Sequence, residues 1–155
     1  MADDRRSRRI VIKQIRNIMN STKYQIEDNL NVDEFIDCLI DSTLGERRPV
    51  DDYKRIAKIV KNANLIVTAR LDGLLVGVSR SISDFAYCTY LSDLAVRKSY
   101  QKMGIGKELI RQTKLASEPA KLILLSAPAA VDYYPKIGMT RHNHCYMLNN
   151  VDDLK

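Results

Sequence analysis

The sequence predicts an α/β domain whose sheet combines antiparallel and parallel neighbours, and three observations predict it. Two strand-like runs, Leu65 to Leu71 and Leu74 to Arg80, flank Asp72-Gly73, a dipeptide that supplies the positive φ angles of a tight antiparallel hairpin. A strand ending near Val96, a glycine turn, a helical pattern over 104–116 and the apolar run Leu122 to Leu125 then make a crossover, which implies parallel pairing. That last run has no polar residue, as expected of a strand covered on both faces. A chain of 155 residues is sized for one domain.

The other elements follow in order. Residues 5–16 carry Arg5, Arg6, Arg8, Arg9, Lys13 and Arg16 with no acid between them, so residues 1–21 read as a basic N-terminal extension. Within it Ile10, Val11, Ile15, Ile18 and Met19 recur at helical spacing. The segment has no aromatic residue on which a base could stack, so a nucleic-acid partner is not expected. Tyr24 to Asn29 reads as a short extended stretch. Asn31 then precedes Glu34 by three, the arrangement that caps a helix start, and Phe35, Ile36, Leu39 and Ile40 give that helix its buried stripe. Gly45 and Pro49 punctuate a loop before a second amphipathic helix through Tyr53, Ile56, Ile59, Val60 and Ala63. Phe85 to Val96 holds a further strand. His142 to Leu148 alternates polar and apolar residues like an edge or swapped strand, from which a homodimer is expected.

Composition excludes several classes. With 45% hydrophobic and 28% charged residues the chain can build a core, which removes disorder as a description of the whole. Lys plus Arg exceed Asp plus Glu by 25 − 19, a formal charge of +6. No apolar run approaches the roughly 20 residues that cross a bilayer, and Lys13 interrupts Ile10 to Ile12 too early for a signal sequence, so neither membrane nor export is expected and the chain reads as cytoplasmic. Cys38, Cys88 and Cys145 lie far apart and read as reduced thiols. His142 and His144 alone fall short of a ligand set, so no metal is expected.

The segment that carries chemistry is Leu94-Ala95-Val96-Arg97-Lys98-Ser99-Tyr100-Gln101-Lys102-Met103-Gly104-Ile105-Gly106-Lys107, a strand that ends, turns and opens a helix. Unpaired amides at a helix start, with the positive end of the helix dipole, bind anions. Gly104 and Gly106 let a phosphate approach, and Lys98, Lys102 and Lys107 add charge; the arrangement suits a diphosphate. A dinucleotide fingerprint is disfavoured because its third glycine would fall on Leu109, and no GxxxxGK[ST] P-loop occurs.

Gln101-Lys102-Met103-Gly104-Ile105-Gly106 resembles the [Q/R]-x-x-G-x-[G/A] turn of the GNAT N-acetyltransferases, and Ala130, Tyr133-Tyr134, Lys136, Ile137, Gly138 and Met139 resemble that family's later A-x-x-[F/Y]-Y-x-K-x-G-[F/M] segment. The likeness spans roughly residues 22–148. It implies a mostly antiparallel mixed sheet with one central, splayed parallel pair, flanked by helices. It also implies an acyltransferase that moves the acetyl group of acetyl-coenzyme A to a primary amine of a small molecule or protein. In such enzymes the turn, here Gln101 to Gly106 with Lys107, holds the coenzyme diphosphate, while the strand backbone at Leu94, Ala95 and Val96 pairs with the pantetheine arm. Tyr134 aligns with the tyrosine that protonates the leaving thiolate, with Tyr133 beside it at the coenzyme. Asp93 stands where a carboxylate can take the amine's proton, and Asp84 and Tyr90 are weaker neighbours. Ala127, followed by Pro128, replaces an expected asparagine and removes one polar coenzyme contact. That departure supports a second expectation, a non-catalytic acetyl-coenzyme A sensor or scaffold. Asp33, Glu34, Asp37, Asp41, Asp51 and Asp52 could attract a cationic acceptor, but capping and solvation account for them.

Overall fold

A computed structural model of the chain describes residues 2–155, with side chains described from Arg5 onward. The first residue of the N-terminal extension lies outside the described residues. The chain forms two compact units, one ending at Leu125 and one running from Ser126 to Lys155.

The first unit opens with helix α1, Ala2–Ser21, followed by strand β1, Lys23–Ile26. Helix α2, Val32–Asp41, starts where the Asn31 side chain accepts the Glu34 amide at 3.1 Å, so the cap read from sequence forms. Its buried residues are Phe35, Cys38 and Leu39, while Ile40 is 56% exposed. Cys38 thus takes a core position expected of Ile40, because the stripe turns one residue further round the helix. Burial pushes the Cys38 thiol up to about 12, so it stays protonated and inert. Helix α3, Tyr53–Asn62, buries Ile56 and Val60.

Strands β2, Leu65–Leu71, and β3, Leu74–Ser83, form the hairpin, with Asp72 at φ +48° and Gly73 at φ +85° in its turn. Strand β4, Cys88–Val96, leads to helix α4, Ile105–Ala116, and then to strand β5, Lys121–Ile123. The five strands lie in chain order; the first three pairings are antiparallel and β4 with β5 is parallel. Side chains alternate across this sheet. Ile66, Val78 and Ala95 pack with Phe35, Leu39, Ile56 and Val60 of α2 and α3. Val67, Ala69 and Val76 pack with Ile105 and Leu109 of α4. The buried Ser79 and Thr113 hydroxyls, 2.5 Å apart, tie β3 to α4.

The apolar run after α4 departs from expectation. It forms only a three-residue strand, and Ile123 and Leu125 are 51% and 45% exposed, so this strand is covered on one face. The second unit has a short helix α5, Tyr133–Lys136, and 3-10 turns but no strand among its described residues; His142 to Leu148 is irregular, with Tyr146 91% exposed. Alternation alone does not make a strand when no neighbouring edge accepts its hydrogen bonds.

One ion network pins β1 and α2 to β2. Arg70 donates to both oxygens of Glu27, at 2.6 and 3.0 Å, and to both oxygens of Glu34, at 2.9 and 3.0 Å. The Arg70 bond, helped by the Thr68 hydroxyl, holds the Glu27 carboxyl at about 2, below its ordinary 4.5. A depressed carboxylate stabilises the fold above its unfolded value, and that contribution is lost as pH falls from about 4.5 to about 2. Glu27→Gln is therefore expected to flatten the decline of the urea midpoint across this acid window. An unchanged decline would place the acid sensitivity in other groups.

Candidate coenzyme and acceptor site

Strand β4 is built to leave one edge free. It pairs with β5 only through Cys88, Thr89 and Tyr90, whereas it pairs with β3 along nearly its whole length. The Arg97 amide donates to the Val76 carbonyl at 2.9 Å, which makes these two a hydrogen-bonded pair. Such pairs alternate in an antiparallel ladder. Ala95 therefore turns its backbone toward β3, and Leu94 and Val96 turn theirs outward, to the edge that β5 has left. Of the three residues expected to meet the pantetheine arm, Leu94 and Val96 turn backbone groups to this edge, the Val96 carbonyl being taken by the Gln101 side chain, and Ala95 does not. Its side chain is buried under α2 and α3 instead.

The register slips between Arg80 and Ser81, because Arg80 faces Asp93 while Ser81 faces Leu91. Ser92 is the extra residue of this bulge, which bends β4 where its pairing with β5 has just ended.

At the other end of the strand, Gln101 donates its side-chain amide to the outward-facing Val96 carbonyl at 2.8 Å. Lys102 adopts φ +62° and Gly104 φ +89°, and Gly104 is the residue before α4. The first helical backbone bond runs from the Glu108 amide to the Gly104 carbonyl. Among the described residues, the consecutive amides of Lys102 to Lys107 donate to no protein acceptor. They form a row of donors at the positive end of a twelve-residue helix, flanked by the Lys102 and Lys107 side chains. A Cβ on Gly104 would come within 3.0 Å of the Met19 methyl, so the end of α1 stands against this turn.

Asp93 is 1% exposed. One of its oxygens accepts from Arg48 Nε at 2.5 Å and the other from Arg80 Nε. Arg48 also donates to the carbonyls of Ser92, at 2.8 Å, and Arg47, at 2.9 Å. With one oxygen on each guanidinium, the Asp93 carboxylate ties Arg48 and Arg80 to β4. Asp84 accepts the backbone amides of Tyr87, Ala86 and Cys88, foremost Tyr87, which together hold it at about 2; its task is closing the turn between β3 and β4. Tyr90 is 39% exposed.

In the second unit, the Tyr133 and Tyr134 rings meet edge to face with centroids 5.3 Å apart. Burial raises both phenols above their ordinary 10, and Tyr133 adds to the rise at Tyr134. Tyr134 is the more buried of the two, and its carbonyl accepts the Ile137 and Met139 amides, closing α5 before Gly138.

A family profile described as an acetyltransferase (GNAT) domain matches residues 48–153. The chain belongs to the GNAT acetyltransferase family. This GNAT chain is 28% identical over 121 residues to an uncharacterized N-acetyltransferase, ycf52, of Pyropia yezoensis, with 73% of this chain and 67% of that protein aligned. It shares its fold with an aminoglycoside acetyltransferase, meta-AAC0020, from an uncultured soil metagenomic sample, solved with sisomicin, at TM-score 0.67 and 21% identity over 89% of this chain and 99% of that one. It also shares it with the aminoglycoside N-acetyltransferase AAC(6')-Iy, solved with CoA, at TM-score 0.65 and 12% identity over 84% and 95% of the two chains. The GNAT chain is thus an acyltransferase, with the mostly antiparallel mixed sheet expected of it.

The residues present fit a coenzyme diphosphate: the row of amides without a protein acceptor suits an anion, and the glycine within it adds no side chain of its own. Sequence reasoning missed Arg48 and Arg80. The available signal was the pairing of β3 with β4, which sets an arginine opposite Asp93. Arg48 carried none, since it lies 45 positions from Asp93 in a loop. Among the described residues no group of His, Cys, Asp and Glu could hold a metal, and no helix is long and apolar enough to cross a membrane.

Proposed function

We propose that this chain transfers the acetyl group of acetyl-coenzyme A to a primary amine by direct attack on the thioester. The observation that carries the reading is the continuity of two backbone surfaces, the amides of Lys102 to Lys107, which donate to no protein acceptor among the described residues, and the outward edge of Leu94 and Val96, where only the Val96 carbonyl is taken, by the Gln101 side chain. The amides hold the diphosphate, with Lys102 and Lys107 supplying charge, and the strand edge aligns the extended arm as an added strand would be aligned. Bound acetyl-coenzyme A supplies an electrophilic thioester carbonyl and a thiolate leaving group. The acceptor enters as the neutral amine. Tyr134 gives its phenolic proton to the departing sulfur, the proton shed by the attacking nitrogen passes to water and one from water restores the phenol, and burial keeps the phenol protonated through neutral pH. Asp93 acts by positioning Arg48 and Arg80, in place of the proton-accepting role its strand position suggests.

Calorimetric titration with acetyl-coenzyme A, followed by thiol release across an amine panel, tests the reading. Micromolar binding with amine-dependent thiol release is expected. No binding by the unaltered chain would overturn it.

A further inference from the structure

The acetyltransferase reading leaves the acceptor open, and the buried arginines beside the β4 bulge narrow it. Arg80 is 6% exposed, yet among the described residues its only partner is Asp93, through Nε. The terminal nitrogens of its guanidinium, each with two N–H donors, have no protein acceptor. Arg48, whose side chain is 24% exposed, uses one bond at each of its three nitrogens and keeps a donor on each terminal nitrogen. Two guanidinium groups around one carboxylate leave that group with a formal excess of one positive charge beside the β4 bulge. The buried side-chain atoms without a partner among the described residues are Tyr24 OH and Ser81 Oγ, so the terminal nitrogens of Arg80, which lack a protein acceptor, keep contact with solvent and are open to a ligand.

The place of this excess matters. From Val96 back to Ser92 along β4 is roughly 14 Å at about 3.4 Å per residue. An arm that starts at the turn and follows the free edge past Val96 and Leu94 ends at the bulge. Ser92 lies there, its carbonyl bonded to Arg48, with Asp93 next to it. The open guanidinium donors therefore flank the end of the edge where an amine must arrive.

We propose that Arg48 and Arg80 form an anion-binding acceptor subsite, and that the acceptor is an amine that also carries a carboxylate, as an amino acid does. The inference rests on the acetyltransferase reading above. A planar carboxylate matches the paired donors of a guanidinium, whereas a polycationic amine would meet net positive charge there. Asp93 holds both arginines in place, so its role is positioning.

The test compares each of a panel of amino acids with its carboxamide, in which the amine is kept and the negative charge removed. Binding to the full chain is measured by calorimetry with and without coenzyme A, and acetyl transfer by thiol release. At least one acid is expected to exceed its amide tenfold in affinity and in kcat/KM. Arg48→Gln is expected to bring that ratio close to one, and Arg80→Lys to lower it. Arg48 is the less buried of the two and serves as the decisive variant if Arg80→Lys fails to fold. Free amino acids and short peptides with an acidic first residue distinguish an α-carboxylate from a side-chain carboxylate as the recognised group. Equal acid and amide values, or a preference that survives Arg48→Gln, would overturn the subsite. If acetyl-coenzyme A binds and amines are acetylated without regard to charge, the subsite falls and the acetyltransferase reading stands; if acetyl-coenzyme A does not bind, that reading falls first.

Discussion

Gly104→Glu is expected to weaken acetyl-coenzyme A binding by at least about a hundredfold, the largest single-site effect on coenzyme affinity. The new carboxylate would stand among the amides of Lys102 to Lys107, which have no other acceptor. Two like charges about 4 Å apart repel by about 4 kcal/mol at an effective dielectric of 20, and each 1.4 kcal/mol is a factor of ten. Strain has to be separated from charge, because Gly104 sits at φ +89°, where a side chain costs about 1–2 kcal/mol. Gly104→Ala carries the strain and the contact with Met19, whose flexible end can shift, without the charge. Calorimetry is expected to show a smaller loss for alanine than for glutamate. Equal losses would mean that backbone shape, not anion binding, is what the glycine protects. Full affinity in the glutamate variant would remove the diphosphate from this turn.

Tyr134→Phe is expected to lower kcat by roughly 10²- to 10⁴-fold, the range over which a positioned general acid acts. The ring and its packing against Tyr133 are kept, so the fold and the coenzyme dissociation constant are expected to change little. The phenol is raised above 10 by burial, so it is the protonated form that is present at neutral pH and lost only on the alkaline side. The rate through this group is therefore flat across neutral pH and falls above its raised value. Tyr133→Phe is the control: a comparable fall there, with Tyr134→Phe nearly silent, would move the donor role to the more exposed ring.

What could be read from the residues divides by range. Asn31 with Glu34, Asp72 with Gly73, and the periodicities of α2, α3 and α4 are local signals, and the structure forms the cap, the turn and the three helices where the residues place them, with Cys38 in place of Ile40 in the buried stripe of α2. The glycine turn into α4 was legible because helix-start chemistry is also local. The run after α4 misled because four apolar residues report that burial is tolerated, not that a second layer exists to supply it. His142 to Leu148 misled for a related reason: alternation describes how a strand would divide its faces, and pairing needs a partner edge. Of the arginines around Asp93, Arg80 could be reached only through the register of β3 on β4 across a bulge, and Arg48, a loop residue 45 positions away, could not be reached at all. A lone aspartate on a strand gave no sign of which cation would claim it.

The free edge of β4 has a cost for the molecule between reactions. Unpaired amides and carbonyls in a row will accept any extended chain, including another copy's exposed segment, and proteins elsewhere hide such rows with short strands, bulges or charge. Here, among the described residues of the first unit, no strand pairs with the row beyond Tyr90, which is blunted by its brevity, the Ser92 kink, the Gln101 side chain on Val96 and the lysines past Val96. Filling that edge with its small-molecule partner would occupy the same donors and acceptors. Resistance to aggregation on warming would then track the supply of co-substrate, and the starved protein would be the one that precipitates.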